Sequence, residues 1–282
     1  MATKLRVGWH REHFLSPLLQ FVEQDKGETV ELVECPGGTG EMQVKLKNGE
    51  IDLCIALTDA LIAGLANGQT SYKIVGRYIS SPLRWAIVTG KDSQYNSVND
   101  LKGTTFGISR LGRQVSDSAD QTGSTKFNGQ FKPLRDSVNS GETSVFLWEW
   151  FTTKPYVDSG EVRFIGSVYS PWPCWHIAAS PSVPSSIIKT FLASLQPYVQ
   201  HFNSPEARVS EDIEFVHNFF GHKEEDIAEW LQSVKWEEQL AEVKEDVVKE
   251  TLAVLRKAGV VPEGAENMKL EDIVNTEVAT IV

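Results

Sequence analysis

The sequence predicts an α/β fold in two domains, with helices covering a sheet and a helical C-terminal tail. Three observations predict it. Strand-like and helix-like segments alternate through residues 1–90. The length of 282 residues is about twice that of a typical domain. From Pro184 onward, apolar residues recur at helical spacing.

The first 90 residues contain the clearest strand and helix patterns. The predicted elements are a strand over Lys4–Trp9, a helix from Ser16-Pro17 to Gly27, a strand over Thr29–Val33, a short helix over Glu41–Lys47, a strand over Ile51–Leu57, a helix over Asp59–Ala66, and strands over Tyr72–Tyr78 and Trp85–Val88. This order favours a parallel sheet covered on both faces, in which ligands bind at the carboxyl ends of the strands. Those ends are Trp9-His10, Cys35–Gly40, Thr58-Asp59 and Ser80-Ser81.

A second α/β unit is predicted to begin near Lys91. Its elements are a capped turn or helix over Val98–Gly103, a strand over Thr104–Ile108, a polar loop over Ser109–Arg113 that precedes a helix, and strands over Ser144–Leu147 and Val162–Ile165. The tail is predicted to be helical over Ser185–Phe202, Glu211–Phe220, Lys223–Val234 and Trp236–Ala258.

The net charge of −11 comes entirely from the tail. Residues 1–204 carry 19 acidic and 19 basic residues, whereas residues 205–282 carry 19 acidic and 8 basic residues. This acidic segment is either a set of solvated helices or a docking surface for a basic protein partner. Nucleic-acid binding is disfavoured, because the sequence has no basic stripe to neutralise phosphates.

The cysteines and the hydropathy pattern indicate a cytoplasmic setting. Cys35, Cys54 and Cys174 are odd in number and far apart, which fits neither a disulfide framework nor a zinc site. The N-terminal residues lack the apolar stretch of a signal peptide, and no apolar run is long enough to predict a membrane span.

Four segments of the sequence occur in an order and spacing that are found together in one superfamily. They are Leu5–Gly8, Gly38–Gly40, Leu46–Leu53 and Leu101–Gly112. Together they resemble the type II periplasmic-binding-protein superfamily, in the branch of the sulfonate-, taurine- and nitrate-binding proteins and the thiamine-pyrimidine synthases. The segments Trp148–Trp150 and Pro171–Trp175 are similar to a small group of fungal cytosolic proteins of this fold.

The resemblance implies two lobes that close by a hinge on one small ligand in the cleft between them. Lobe one would comprise residues 1–87 and 176–282, including the helical tail, and lobe two residues 88–175. The chain would cross between the lobes near Trp85–Thr89 and Trp175–Ala179. The export signal of the importers' receptors and the cysteine-rich motif of the synthases do not occur in this sequence. The resemblance therefore extends neither to the transport role nor to the iron-dependent chemistry.

The candidate ligand-binding residues of lobe one follow its predicted strands. Trp9 and His10 combine an aromatic face with a hydrogen-bonding imidazole, and His13 is a weaker candidate. Gly38, Thr39 and Gly40 come just before a predicted helix, whose N–H groups attract anions. Thr58 ends a strand and is a ligand candidate, whereas Asp59 is a natural N-cap.

Further candidates come from lobe two and the second crossing. Ser109 and Arg110 lie where receptors of this branch often bind an anionic group, and Arg110 could clamp a carboxylate, sulfonate or phosphate. Four tryptophans could form an aromatic box for a flat ring or a cation: Trp148, Trp150, Trp172 and Trp175. Packing between the lobes is the alternative for Trp150 and Trp175. Glu149 stands between two tryptophans, where a carboxylate usually has a partner such as an amine or aminopyrimidine.

Three functions remain open. A binding protein for a small anionic or heteroaromatic metabolite is favoured, because the sequence has no HExxH, P-loop or GxSxG motif and suggests no catalytic residue, metal ligand or cofactor. The alternative is a cofactor-biosynthesis enzyme of the thiamine-pyrimidine type, with His10 and Glu149 as the pair to test. The third is a scaffold that docks a protein partner on its acidic C-terminal helices.

Overall fold

The computed structural model describes residues 4–109 and 123–282, and it divides into two compact units. Unit one contains the chain up to Pro82 together with 172–257 and 261–282. Unit two contains Leu83–Pro171 and Ala258–Val260. The predicted lobe borders, after residues 87 and 175, fall inside the two long strands that both units share. The identity of these units as ligand-closing lobes stays a prediction.

The strands and helices of the described residues follow each other in this chain order. The strands are β1 (Leu5–Trp9), β2 (Val30–Glu34), β3 (Leu53–Leu57), β4 (Lys73–Gly90), β5 (Thr105–Ile108), β6 (Ser124–Phe127), β7 (Val145–Glu149), β8 (Val162–Ala179), β9 (Glu242–Val243) and β10 (Thr280–Ile281). The helices are α1 (Ser16–Asp25), α2 (Gly38–Asn48), α3 (Thr58–Ala66), α4 (Phe131–Ser140), α5 (Trp150–Asp158), α6 (Ser185–Phe202), α7 (Pro205–Arg208), α8 (Glu211–Phe220), α9 (Glu224–Ser233), α10 (Glu245–Lys257) and α11 (Leu270–Ile273).

The sheet of unit one has the strand order β2-β1-β3-β8-β4. Strand β1 is parallel to both β2 and β3, as the alternation of strands and helices predicts. Strand β8 is antiparallel to β3, so the sheet is mixed rather than parallel throughout. The reason is that β8 returns to unit one directly as a strand, without the crossover helix that a parallel neighbour requires. Strand β3, between β1 and β8, is almost wholly buried.

The predicted strand end at Ser80-Ser81 is wrong, because β4 continues through this point as one strand of 18 residues. Strand β8 likewise has 18 residues and runs through Pro171 and Pro173. Prolines interrupt a sequence pattern because they lack an N–H donor. Beside Pro82, the Leu83 N–H donates to the Ser170 hydroxyl at 2.9 Å, so a side chain replaces a ladder bond there.

Unit two has the strand order β4-β7-β5-β6, with β7 antiparallel to β4 and parallel to β5. Alternate residues of β4 pack on opposite faces of this sheet. Ala86 and Val88 join the cluster formed with α4, whereas Ile87 joins a cluster with Leu101 and Phe106. Strand β6 was not predicted, because residues 116–129 are polar and only weakly periodic, and helix α4 was not predicted either.

The tail packs along β4 within unit one. The predicted helix over Trp236–Ala258 is wrong in its first part, because α10 starts only at Glu245. The preceding segment is extended and bonds to β4, with Glu237 N donating to Tyr78 O at 3.0 Å and Arg77 N to Leu240 O at 2.9 Å. A Cβ at Gly76 would lie 2.3 Å from the Leu240 carbonyl oxygen, so only glycine permits this approach. The buried ion pair between Arg77 and Glu237, at 2.8 Å, joins the same two segments.

No helix in the described part of the chain is both long and apolar enough to cross a membrane.

Candidate functional site

The candidate residues of unit one lie along the edge of the sheet that is formed by the carboxyl ends of β1 and β3 and by the part of β8 around Pro173. Three hydrogen bonds connect them. His10 Nδ1 lies 3.0 Å from the Cys35 carbonyl oxygen, Leu57 N donates to Thr39 Oγ1 at 3.1 Å, and Thr58 Oγ1 donates to Pro173 O at 2.5 Å. We call this line of residues the unit-one rim. It exists because parallel strands β1 and β3 end at the same edge of the sheet.

The N-terminus of α2 supplies backbone donors to the unit-one rim. The helix begins at Gly38, so the predicted glycines lie in its first turn instead of before it. Gly37 N donates to the Glu41 carboxylate at 2.7 Å, and Gly38 N donates to Cys35 O at 2.8 Å. Among the described residues, the next two N–H groups, of Thr39 and Gly40, have no acceptor. A helix leaves its first N–H groups without internal partners, and such a pair can bind an anion or another acceptor.

Thr39 has a side chain that can hydrogen-bond, whereas Gly40 leaves open space where a side chain would be. Thr39 is buried, and its hydroxyl oxygen is already occupied by Leu57 N, although its proton can still be donated. Gly40 is half-buried, and a Cβ built there meets nothing within 4 Å. The space above Gly40 is therefore open, which suits a ligand that accepts hydrogen bonds from the backbone.

Thr58 is held by two buried partners, of which sequence reasoning identified neither. Its hydroxyl has one proton, which the Pro173 carbonyl accepts, so the contact of 2.7 Å with His176 Nδ1 requires an Nδ1–H donor. His176 is completely buried, and burial lowers its pKa to about 3, so the ring is neutral with its lone pair on Nε2. Asp59 is not the N-cap of α3, because the helix starts one residue earlier at Thr58 with Leu57 as N-cap.

His10 presents an acceptor to the unit-one rim. A carbonyl can only accept, so His10 Nδ1 carries the proton donated to Cys35 O. Burial lowers the pKa of His10, although the carbonyl and nearby carboxylates oppose this effect. The neutral ring leaves Nε2 as an acceptor, 3.9 Å from Glu12 Oε1. Burial also raises the pKa of the Cys35 thiol to about 11, which keeps it protonated. The imidazole therefore complements the two N–H donors of α2.

Trp9 is buried, so it does not present an open stacking face within unit one. Its ring contacts Phe219 of α8 edge-on, with centroids 6.4 Å apart. The guanidinium of Arg11 lies 4.9 Å from the same phenyl ring and donates to the Phe219 carbonyl oxygen at 2.7 Å. Helix α8 thus packs against the end of β1, and Arg11 and Phe219 are residues that sequence reasoning missed, since 208 positions separate them.

Glu12 and His13 also follow β1 and are buried. Glu12 Oε2 lies 3.9 Å from His13 Nδ1, and burial together with nearby His222 lowers the pKa of His13 well below its usual value. His13 packs edge-on against Trp230 with ring centroids 4.3 Å apart. These two side chains are potential metal ligands in unit one, but the predicted minor candidate His13 lies within an aromatic core.

In unit two, the side chains of the candidate residues are engaged in local structure. Trp148 stacks on Phe131 with centroids 4.8 Å apart. The buried Glu149 is the N-cap of α5, and its carboxylate accepts from Thr152 N at 2.6 Å. The partner of this carboxylate in the helix is thus a backbone N–H, as is common at N-caps.

The remaining candidates lie at the ends of elements. Ser109 follows β5 and is half-buried. Trp172 is half-buried where β8 enters unit one. Arg110 lies outside the described residues, and so does the helix predicted after the Ser109–Arg113 loop.

Tryptophan rings in unit two also make contacts that the sequence did not indicate. The Trp150 ring stacks on Phe164 at 4.0 Å, and the Arg84 guanidinium lies 3.5 Å from the Trp150 ring centroid. A cation this close to an indole face is an energetically favourable contact. These contacts assign the Trp150 ring to packing within unit two.

The chain resembles one family and several solved structures. The family described as "Ca3427-like PBP", where PBP denotes a periplasmic binding protein, matches residues 85–168. The Candida albicans CA3427 gene product, which defines a family with the generic periplasmic-binding-protein fold, is 29% identical. Its structure superposes with a TM-score of 0.87 and covers 96% of each chain. No curated protein matches the sequence.

More distant structures share the fold at low sequence identity. The alkanesulfonate-binding protein SsuA of Xanthomonas axonopodis pv. citri, bound to MOPS, is 15% identical with a TM-score of 0.74 and covers 99% of this chain and 98% of its own. The nitrate-binding protein NrtA of Synechocystis PCC 6803 is 12% identical with a TM-score of 0.71 and covers 98% and 87%. The predicted α/β fold of the type II periplasmic-binding-protein class is thereby confirmed, and this fold suggests the binding of a small ligand.

Proposed function

We propose that this chain, which has the fold of the type II periplasmic binding proteins, binds one small metabolite at the unit-one rim. The observation that carries this proposal is the pair of N–H groups at Thr39 and Gly40, which have no acceptor in the described part of the chain and lie beneath open space at Gly40. They stand at the carboxyl edge of the sheet, where ligands of α/β sheets bind.

The donors of the unit-one rim favour a ligand group that accepts hydrogen bonds. A carboxylate, sulfonate or similar anion fits best, because the N-terminus of α2 carries a partial positive charge. A heteroaromatic ring is the alternative. Its acceptor nitrogens would accept hydrogen bonds from the two amides, and an N–H group of the ring or of its substituent would donate to His10 Nε2. We expect the two lobes to close on the ligand through the shared strands β4 and β8, as hinge closure in this superfamily implies.

An enzyme of the thiamine-pyrimidine type remains the second candidate. The observation that favours it is the neutral, half-buried His10, whose unprotonated Nε2 could accept a proton from a substrate. A binding protein would retain its ligand unchanged, whereas an enzyme would release a product of different mass.

Native mass spectrometry of the protein purified from its own host tests both candidates by weighing any co-purifying ligand. Titration calorimetry with MOPS, nitrate and 4-aminopyrimidine as probes then tests the ligand class. Gly40→Ala places a methyl group in the open space above the amides, so we expect it to abolish binding of the anionic probe while the free energy of unfolding changes by only a few tenths of a kcal/mol.

Val44→Ala is the matched control, because Val44 is exposed on the same helix. It should leave probe affinity unchanged. Equal affinity of wild type and Gly40→Ala for a probe that binds would place the ligand elsewhere and refute the assignment to the unit-one rim.

A further inference from the structure

A groove between α1 and α8 combines aromatic rings with carboxylates. It is lined by Gln20, Glu23, Glu211, Glu214, Phe215, Asn218 and Phe219, and its volume is about 430 Å³. We call it the α1–α8 groove. Two of its rings, Phe215 and Phe219, are stacked nearly parallel, with centroids 5.9 Å apart and an interplanar angle of 12°.

The carboxylates of the α1–α8 groove are not neutralised within the described residues. Glu23 and Glu214 are exposed and form no ion pair there, and Glu211 contacts only His201, at 3.0 Å. Asp212 of the same helix is completely buried, and burial raises its pKa to about 8 although Arg208 opposes this. At neutral pH the negative charge of α8 therefore lies mainly on its outer, groove-lining face.

The aromatic rings of the groove are suited to a cation. Phe219 keeps about a third of its surface exposed (36%) although four neighbouring side chains already contact it. The guanidinium of Arg11, 4.9 Å from the same ring, demonstrates that this phenyl group packs against an arginine. A phenyl face attracts a guanidinium through its quadrupole, and adjacent carboxylates add hydrogen-bonding partners for its N–H groups.

We propose that the α1–α8 groove docks a basic, arginine-containing segment of a partner protein. The charge complementarity is local, through Glu23, Glu211 and Glu214, and also global, because residues 205–282 carry the whole net charge of −11. The groove is open to solvent, so it cannot enclose a free small cation, and a peptide segment that continues beyond it supplies the missing contact area. This surface is independent of the proposed ligand at the unit-one rim.

The test uses the full chain and a labelled peptide of alternating arginine and glycine, with binding measured by fluorescence anisotropy at physiological ionic strength. A peptide of the same length with citrulline in place of arginine keeps the shape and removes the charge. The double variant Glu23→Gln/Glu214→Gln should weaken binding of the arginine peptide about tenfold, since each exposed ion pair contributes modestly. The citrulline peptide should bind neither protein.

The matched control is Glu224→Gln/Glu225→Gln, which removes the same charge from exposed positions in the first turn of α9. It should change peptide affinity less than twofold, because only unspecific attraction is reduced. Phe215→Leu, which keeps an apolar side chain without a π face, should weaken the arginine peptide but leave the fold intact. If the groove variant and the control variant lost the same affinity for the arginine peptide, net charge alone would explain the effect and the proposal would be overturned. Failure of the wild type to bind the arginine peptide would overturn it as well.

The same variants separate this proposal from the proposed function. Glu23→Gln/Glu214→Gln should bind the small-molecule probes as the wild type does, and Gly40→Ala should bind the arginine peptide as the wild type does. Loss of one activity without the other identifies which of the two proposals has failed.

Discussion

The candidate residues of unit one and those of unit two use their polar groups differently. In unit one, hydrogen bonds orient the residues of the rim, yet the N–H groups of Thr39 and Gly40 and Nε2 of His10 keep capacity for a ligand. In unit two, the Glu149 carboxylate caps α5, and Trp148 is stacked on Phe131. A residue type that suits ligand binding is informative only after its local structural partners have been counted.

The difference has a physical origin in the strand ends. In unit one, loops and helix N-termini follow β1 and β3, and helix starts leave backbone donors without partners. In unit two, Glu149 ends β7 directly at the start of α5, so its own carboxylate satisfies one of the free N–H groups in the first turn of that helix, that of Thr152. The unit-one rim can therefore be tested by removing the hydrogen-bonding side chains within it, and the N-cap of α5 in unit two by removing the Glu149 carboxylate.

Protonation of His176 should produce the largest effect on the unit-one rim. Its folded pKa of about 3 lies below the ordinary value of 6.5, so the unfolded state takes up a proton first as the pH falls. The associated stability is fully present above pH 6.5 and is lost between pH 6.5 and 3, on the order of 4 kcal/mol in total.

The measurement compares denaturant unfolding of the wild type with that of His176→Asn across this pH range. The asparagine amide can replace the Nδ1–H donor but does not titrate, so carboxylate contributions cancel in the comparison. Parallel pH profiles of the two proteins would show that His176 is not buried as a neutral ring.

Substitution of Thr58 should have the next largest effect. Thr58→Val keeps the shape of the side chain but leaves Pro173 O and the Nδ1–H of His176 buried without partners. We expect the free energy of unfolding to fall by about 3 kcal/mol, because each unsatisfied buried group costs about 1–3 kcal/mol. Thr58→Ser retains the hydroxyl and should cost about 1 kcal/mol through the lost methyl group. If chemical denaturation showed similar losses of unfolding free energy in both variants, the Thr58 hydroxyl would not stabilise the rim.

The smallest effect is expected at Glu149 of unit two. Glu149→Ala should lower the free energy of unfolding by about 1 kcal/mol through the loss of an N-cap. Glu149→Gln should be close to neutral, because the amide oxygen still accepts from Thr152 N. If Glu149→Gln instead preserves stability but weakens binding of 4-aminopyrimidine in calorimetry, Glu149 contacts the ligand as well, and the contrast between the two units is smaller than the hydrogen bonds indicate.

The sequence by itself determined the elements whose signals are local. The alternation of strands and helices in unit one, the helix start at Ser16-Pro17 and the glycine after α2 are each encoded within a few residues. Gly49, for example, adopts φ +70° as the C-cap of α2, which glycine does without strain. The superfamily resemblance used the same short segments, and the comparisons confirmed the fold that it implied.

Only the tertiary structure decided which side chains meet. Thr58 and His176 are 118 positions apart, and Arg11 and Phe219 are 208 positions apart. Periodicity describes which face of an element is apolar, but not which distant element covers that face. The length of strands β4 and β8 also depends on the tertiary structure. Their prolines interrupt the strand pattern in the sequence, but pairing with neighbouring strands and the hydrogen bond to the Ser170 hydroxyl continue the strands in the fold. The donors and acceptors that stay available at the unit-one rim are a property of the assembled sheet, because they are the groups that remain after distant residues have formed their hydrogen bonds.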